Sequence, residues 1–248
     1  MSVIPTREPR GARPAGEKAV ADKIDATRSG VEVNLLDRYP RSKRPIDERA
    51  ALITDEHRRI ARQFGRDFFD GERLFGYGGY NYHPRFWQET VRRIRDYYQL
   101  PEDASILDVG SGKGFMLHDF QELMPQARLA GIDISQYAYD NAMPSVKPLL
   151  QVGCASELPF EDDSFDLVIS INTVHNLPRA GCEQALREIQ RVSRGRAFVT
   201  VDAWRTEAER ERLLKWILTA QTYMHVDDWK QTFAEAGYRG DYYWFIAE

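Results

Sequence analysis

Two aspartates and three glycines, at fixed spacing, are the residues of this chain best suited to hold a nucleotide-like ligand. In Ser105–Phe115, SILDVGSGKGF, a short apolar run ends at Asp108. Gly110, Gly112 and Gly114 follow at alternate positions, and a helical pattern then runs to Leu123. A strand that passes through glycines into a helix brings backbone N–H groups close to a ligand. Asp133 stands 21 residues beyond Gly112, after a second apolar run, Leu129–Ile132. An acid at such a strand tip is placed to accept hydrogen bonds from ribose hydroxyls. A third block, Gly153–Phe160 (GCASELPF), leads into Ser164–Ile171. After that run, in NTVHNL, His175 is the candidate general base, because an unperturbed pKa of about 6.5 suits proton removal at neutral pH.

These blocks, in this order and spacing, resemble the class I (Rossmann-like) S-adenosylmethionine-dependent methyltransferases, and within them the small-molecule branch. The resemblance is close over residues 105–201 and loose beyond. Leu158-Pro159-Phe160, the acidic turn Glu161-Asp162-Asp163 and Ser164-Phe165-Asp166-Leu167-Val168 match the branch's third block. Cys154 departs from it, standing where the family often has an Asp that reaches the adenine amino group. The resemblance implies S-adenosylmethionine as cofactor. It places Gly110, Ser111 and Gly112 against that cofactor, and has Asp108 either orient the loop or accept from the methionine ammonium. It puts Asp133 on the ribose, Ile134 on the adenine face, and Ala155 and Ser156 around the adenine edge. The backbone carbonyl of Asn172 falls near the amino-acid end.

The implied activity is methylation of a small polar metabolite at oxygen or nitrogen. Its rival is a protein that binds S-adenosylmethionine in a regulatory or partner role without catalysis. A strong base is not demanded, since positioning alone can supply about 7–11 kcal/mol of a barrier. A nucleic-acid methyltransferase is disfavoured by a net charge of −4 and by Asn172-Thr173-Val174-His175, which is not an Asn-Pro-Pro-aromatic motif. A nicotinamide dehydrogenase has no counterpart of the Leu-Pro-Phe block.

The elements that must position these residues follow from the pattern. Strands are predicted near 105–109, 129–133, 148–152, 165–171 and 196–202. Helices are predicted near 114–124, 135–145, 181–193, 206–221 and 226–236. Such alternation implies an α/β fold: a doubly wound, mostly parallel Rossmann-like methyltransferase sheet with appended N-terminal helices. Those helices are predicted over 47–69 and 84–98. Between them lies Phe75–His83, FGYGGYNYH. Its glycines give hinge freedom, and Tyr77, Tyr80 and Tyr82 form a candidate lid over the sulfonium or the substrate. His83 is a second acid–base candidate. Trp204, with Asp202 and Arg205, follows the fifth strand, where resembling enzymes build the substrate pocket.

Three regions result: a Pro- and Arg-rich tail (1–30), a helical cap with its aromatic loop (31–100), and the cofactor domain (101–248). The basic run Arg38–Arg44 reads as a solvated linker. Only one strand-prone segment, Tyr238–Ala247, follows Gly237, where the family closes its sheet with a hairpin. The sheet edge is therefore shortened, covered, or paired with a partner, as in a homo-oligomer. Two cysteines give neither a disulfide framework nor a metal site, so a cytoplasmic protein is expected. No apolar run reaches membrane-span length, and the N-terminus lacks a signal-peptide core.

Overall fold

A computed structural model describes residues 29–40, 45–78 and 81–247. The predicted tail up to residue 28, residues 41–44 of the basic run, Gly79 and Tyr80 lie outside the described residues.

The cap opens with three short helices, α1 (Ile46–Leu52), α2 (Asp55–Ala61) and α3 (Arg66–Asp70), where the pattern predicts one. The breaks have local causes. Ile53 is extended, and Thr54 starts a new helix with a capping box in which its hydroxyl and the His57 side chain serve each other's backbone N–H. Phe64 then adopts a left-handed φ of 49° just before Gly65, the N-cap of α3. Next comes α4 (Gln88–Tyr98), which starts four residues later than predicted and buries Thr90, Val91, Ile94 and Tyr98.

The sheet domain runs β1 (Ser105–Val109), α5 (Phe115–Leu123), β2 (Arg128–Asp133), α6 (Gln136–Asp140), β3 (Leu150–Val152) and β4 (Leu167–Ile171). It continues through α7 (Arg179–Val192), β5 (Ala197–Trp204), α8 (Glu207–Trp216), β6 (Met224–His225), α9 (Val226–Glu235) and β7 (Asp241–Phe245). Helix α6 is half the predicted length, and α8 stops five residues early.

Strand order is β3-β2-β1-β4-β5. Beyond it β7 pairs Phe198–Asp202 of β5, and the two-residue β6 pairs Ala203–Trp204. Every pairing between these strands is parallel. Burial alternates with period two. Leu107 and Val109 face one core with α7 and α9, whereas Ile106 faces another with α4 and α5. That two-sided burial makes the sheet doubly wound.

The sheet edge is covered by the chain itself. Val33 N–H donates to the Tyr242 carbonyl (2.9 Å), Tyr242 N–H to the Val31 carbonyl (3.1 Å), and Val31 N–H to Asp241 Oδ1 (3.0 Å). The segment at 31–33 thus belongs to the sheet rather than to the cap.

The Leu-Pro-Phe block is fastened from behind by α7. Glu188 accepts the Leu158 N–H (2.9 Å), and Arg191 donates to the carbonyls of Leu158 (3.0 Å) and Phe160 (2.8 Å). Those bonds fix the turn after β3, which borders the strand tips.

Candidate functional site

The order reverses between β1 and β4, so the chain winds outward from that point in both directions and leaves a crevice at the strand tips. The glycine loop after β1 forms its floor. Gly110 and Gly112 have φ of 87° and 52°, a region costly for residues with a Cβ. At Gly110 a Cβ would also lie 2.0 Å from Thr173 Oγ1. The loop is tied to β2 by Gly110 and Ser111 N–H groups on the Ile132 carbonyl (2.7 and 3.1 Å). Asp133 completes the tie, accepting from Gly112 N–H and Ser135 N–H, both at 2.8 Å. Burial raises its pKa, opposed by those two donors.

Above the loop is a cavity of about 210 Å³. Asp108, Gly110, Ser111, Gly112 and Lys113 line it on the sheet side; Tyr39, Phe68, Phe69, Phe86 and Trp87 wall it from the cap. The Asp108 carboxyl is 4% exposed, and its pKa is pushed up to about 8, chiefly by burial and then by the charge of Asp133. Ser111 Oγ is buried with no hydrogen-bond partner among the described residues. A buried acid at the start of a glycine loop that lines a cavity suits a ligand that carries an ammonium. The amino-acid end of S-adenosylmethionine meets that description, so the residues present fit this cofactor.

The cap is latched to the loop. Lys113, within the glycine run, places Nζ 2.5 Å from Asp70 Oδ1 at the end of α3. Tyr137 of α6 donates to Asp70 Oδ2 (2.7 Å). Burial would raise the Asp70 pKa, but these partners hold it below the ordinary value. The Phe69 ring lies over Gly112, 3.5 Å from where a Cβ would stand, and stacks on Tyr137 with centroids 6.4 Å apart.

The other candidates distribute unevenly. Ile134 is 55% exposed just past the β2 tip, and Val152 of β3, which pairs with Asp133, is 43% exposed. Ala155 and Ser156 are half-buried, and the Ser156 hydroxyl is engaged with Cys154 Sγ (3.0 Å). Asn172 takes a left-handed φ of 52°, and its carbonyl accepts from Asn176 Nδ2 (3.1 Å). It is not part of the cavity lining among the described residues.

His175 is 4% exposed, and its Nδ1 accepts the Asp202 N–H (2.8 Å). Burial pushes its pKa down to about 3. These contacts make it a neutral packed imidazole whose Nδ1 is occupied, an arrangement that does not favour the base role expected from its position. Asp202, raised to about 7 by burial, approaches that ring to 3.8 Å, but with Nδ1 already accepting the pair is not ionic.

The lid candidates are anchored. The Tyr77 hydroxyl accepts from Leu218 N–H (2.8 Å), and its ring packs on Trp216 with centroids 5.2 Å apart. Tyr82 donates to Asp119 Oδ1 (2.7 Å) and packs on His118. Tyr80 lies outside the described residues. His83 borders the cavity, yet its Nδ1 accepts the Arg85 N–H within a turn (3.2 Å). Trp204 packs against the cluster around Leu213 and Trp216, with its ring 6.3 Å from that of Tyr223, instead of lining the cavity. Arg205 pairs with Glu32, and Thr206 caps α8.

Sequence reasoning missed Asp70, Phe69 and Tyr137. The one local signal was Lys113, a cation inside a glycine loop with no stated partner.

The fold and this crevice define a doubly wound nucleotide-type binding domain. Residues 106–195 match the model of a family described as a methyltransferase domain. The strand order is that of the Rossmann-like sheet of class I methyltransferases, a class whose methyl donor is S-adenosylmethionine. The chain is 27% identical over 153 residues to a demethylmenaquinone methyltransferase of Roseiflexus castenholzii, covering 60% of this chain and 59% of that protein. It is 34% identical over 95 residues to a malonyl-[acyl-carrier protein] O-methyltransferase of Geobacter sulfurreducens, covering 37% and 35%. Among solved structures, YcgJ protein from Bacillus subtilis aligns with a TM-score of 0.45 and 19% identity, over 58% of this chain and 65% of that one. The chain spans about three fifths of the length of the curated relatives it matches first. No described helix is long and apolar enough to cross a membrane.

Proposed function

We propose that this protein methylates a small molecule at oxygen or nitrogen, with S-adenosylmethionine as donor. The observation that carries the reading is the buried Asp108 carboxyl and the glycine loop after it, which line a cavity whose far wall is aromatic. Asp108 and the glycine-loop backbone would hold the amino-acid end, Asp133 the ribose, and Ile134 with Val152 one face of the adenine. The bound donor supplies an already activated methyl group on a sulfonium.

What remains for the chain is orientation and exclusion of water. The aromatic wall serves both. Asn81 and His83 border the cavity and offer polar contacts, in keeping with an acceptor polar at its reacting atom.

Isothermal titration with S-adenosylmethionine and S-adenosylhomocysteine, followed by a search for label transfer from methyl-labelled donor across a metabolite panel, tests the reading. Binding together with transfer supports it. Binding with no transfer to any acceptor favours the regulatory alternative, and absence of binding overturns both.

A further inference from the structure

The donor is a cation, and the loop that receives it already holds one. Lys113 is 8% exposed and lines the same cavity as Asp108, Gly110 and Gly112. An ammonium that lines the same partly dry cavity as a bound sulfonium repels it. The chain meets that conflict from a distant part of the sequence. Asp70, 43 residues earlier and the last residue of α3, places Oδ1 2.5 Å from Lys113 Nζ while Oδ2 accepts from Tyr137. Phe69, the preceding residue, lies against Gly112, so the segment that covers the loop also brings the counter-charge.

We propose that Asp70 is a positioning residue that makes the site accept a positively charged sulfonium, by neutralising Lys113 when the cap is docked. The inference rests on S-adenosylmethionine being the donor. Its consequence concerns the difference between donor and product. The sulfonium gives the donor one more positive charge than the thioether product, S-adenosylhomocysteine. The product feels no comparable repulsion from Lys113. Asp70 therefore matters more for the donor than for the product.

The test is a pair of dissociation constants, for S-adenosylmethionine and S-adenosylhomocysteine, measured by titration on the full chain. In Asp70→Asn the donor should weaken about tenfold while the product changes by less than about threefold. Sinefungin, with an amine at the methyl position, should follow the donor. Adding Lys113→Met to that variant should return the donor-to-product ratio to the wild-type value or beyond. If Asp70→Asn weakens both ligands equally, or neither, Asp70 only docks the cap and the proposal is overturned. Should Asp70→Asn fail to fold, Lys113→Met alone decides: a ratio shifted toward the donor supports the proposal, and an unchanged ratio sinks it. Wild-type protein that binds neither ligand would overturn the functional reading as well.

Discussion

The imidazole Nδ1 of His175 accepts the backbone N–H of Asp202 at 2.8 Å, joining the turn after β4 to the tip of β5. The His175 carbonyl in turn accepts the N–H groups of Gln221 and Thr222 (3.0 and 2.9 Å). One residue thus pins two connections at the crest of the sheet, and its ring must stay neutral to do so. Unfolded, it would bind a proton below about pH 6.5; folded, it resists to about 3. The unfolded state then binds more protons across that window, so stability falls as pH drops from about 6.5 toward 3. His175→Asn, which keeps an acceptor, should flatten that part of the stability curve in urea titrations. Methyl transfer in the variant should keep its pH profile. Loss of a rising limb near pH 6.5 would restore His175 as the base.

Asp108 gives the opposite sign. Its folded pKa is raised to about 8, so the stability it contributes is present below the ordinary carboxylate range and is lost as pH rises toward 8. A bound ammonium favours the ionised form. Binding of S-adenosylhomocysteine at pH 7 should therefore release a proton, and affinity should tighten as pH rises from 6 to 8. Titrations in two buffers of different ionisation heat count that proton. Asp108→Asn should abolish the release and weaken binding by about 1.5–3 kcal/mol, the range for hydrogen bonds to charged groups. Proton release that persists in the variant would mean that another group titrates.

That Asp108, the glycines and Asp133 meet at one crevice was legible in the sequence because the determinants are local. Asp108, the glycines and Asp133 lie at strand ends, and period-two burial fixes where strands end. The cap was not legible in the same way. Its break at Thr54 depends on a capping box with His57, a residue that an apolar-periodicity reading passes over. The Asp70–Lys113 pair joins positions 43 residues apart, and no local pattern announces it. His175 shows the converse: its position suggests chemistry, whereas its burial and occupied Nδ1 are set by tertiary packing that no local pattern announces.

Tyr77 and Tyr82 were expected to move as a lid, and their hydroxyls argue otherwise. Tyr77 accepts the Leu218 N–H, and burial first, with the nearby Asp202, raises its pKa. Removing that hydroxyl leaves the Leu218 donor unsatisfied, at a cost of about 1–3 kcal/mol. Tyr77→Phe should lower the thermal midpoint without altering S-adenosylhomocysteine affinity. In hydrogen exchange the Leu218 amide should be protected in the free protein already. An exposed Leu218 amide that becomes protected only on ligand binding would return the loop to the role of lid.

The N-terminal boundary can be placed more finely than the composition allowed. The sheet edge at β7 is completed by Val31 and Val33 through three hydrogen bonds, and Leu35 is fully buried against the α4 side of the core. A chain starting at Ser29 keeps all of these contacts. One starting at Asp37 loses them, exposes the outer edge of β7, and vacates the Leu35 site, a loss of about 2–5 kcal/mol by analogy with large-to-small core changes. The bare edge would also offer unpaired N–H and C=O groups to a second copy. The Ser29 variant should bind S-adenosylhomocysteine with wild-type affinity and keep its size in solution. The Asp37 variant should melt lower and self-associate. Equal melting temperatures for the two would show that the covering segment contributes nothing to the sheet it completes.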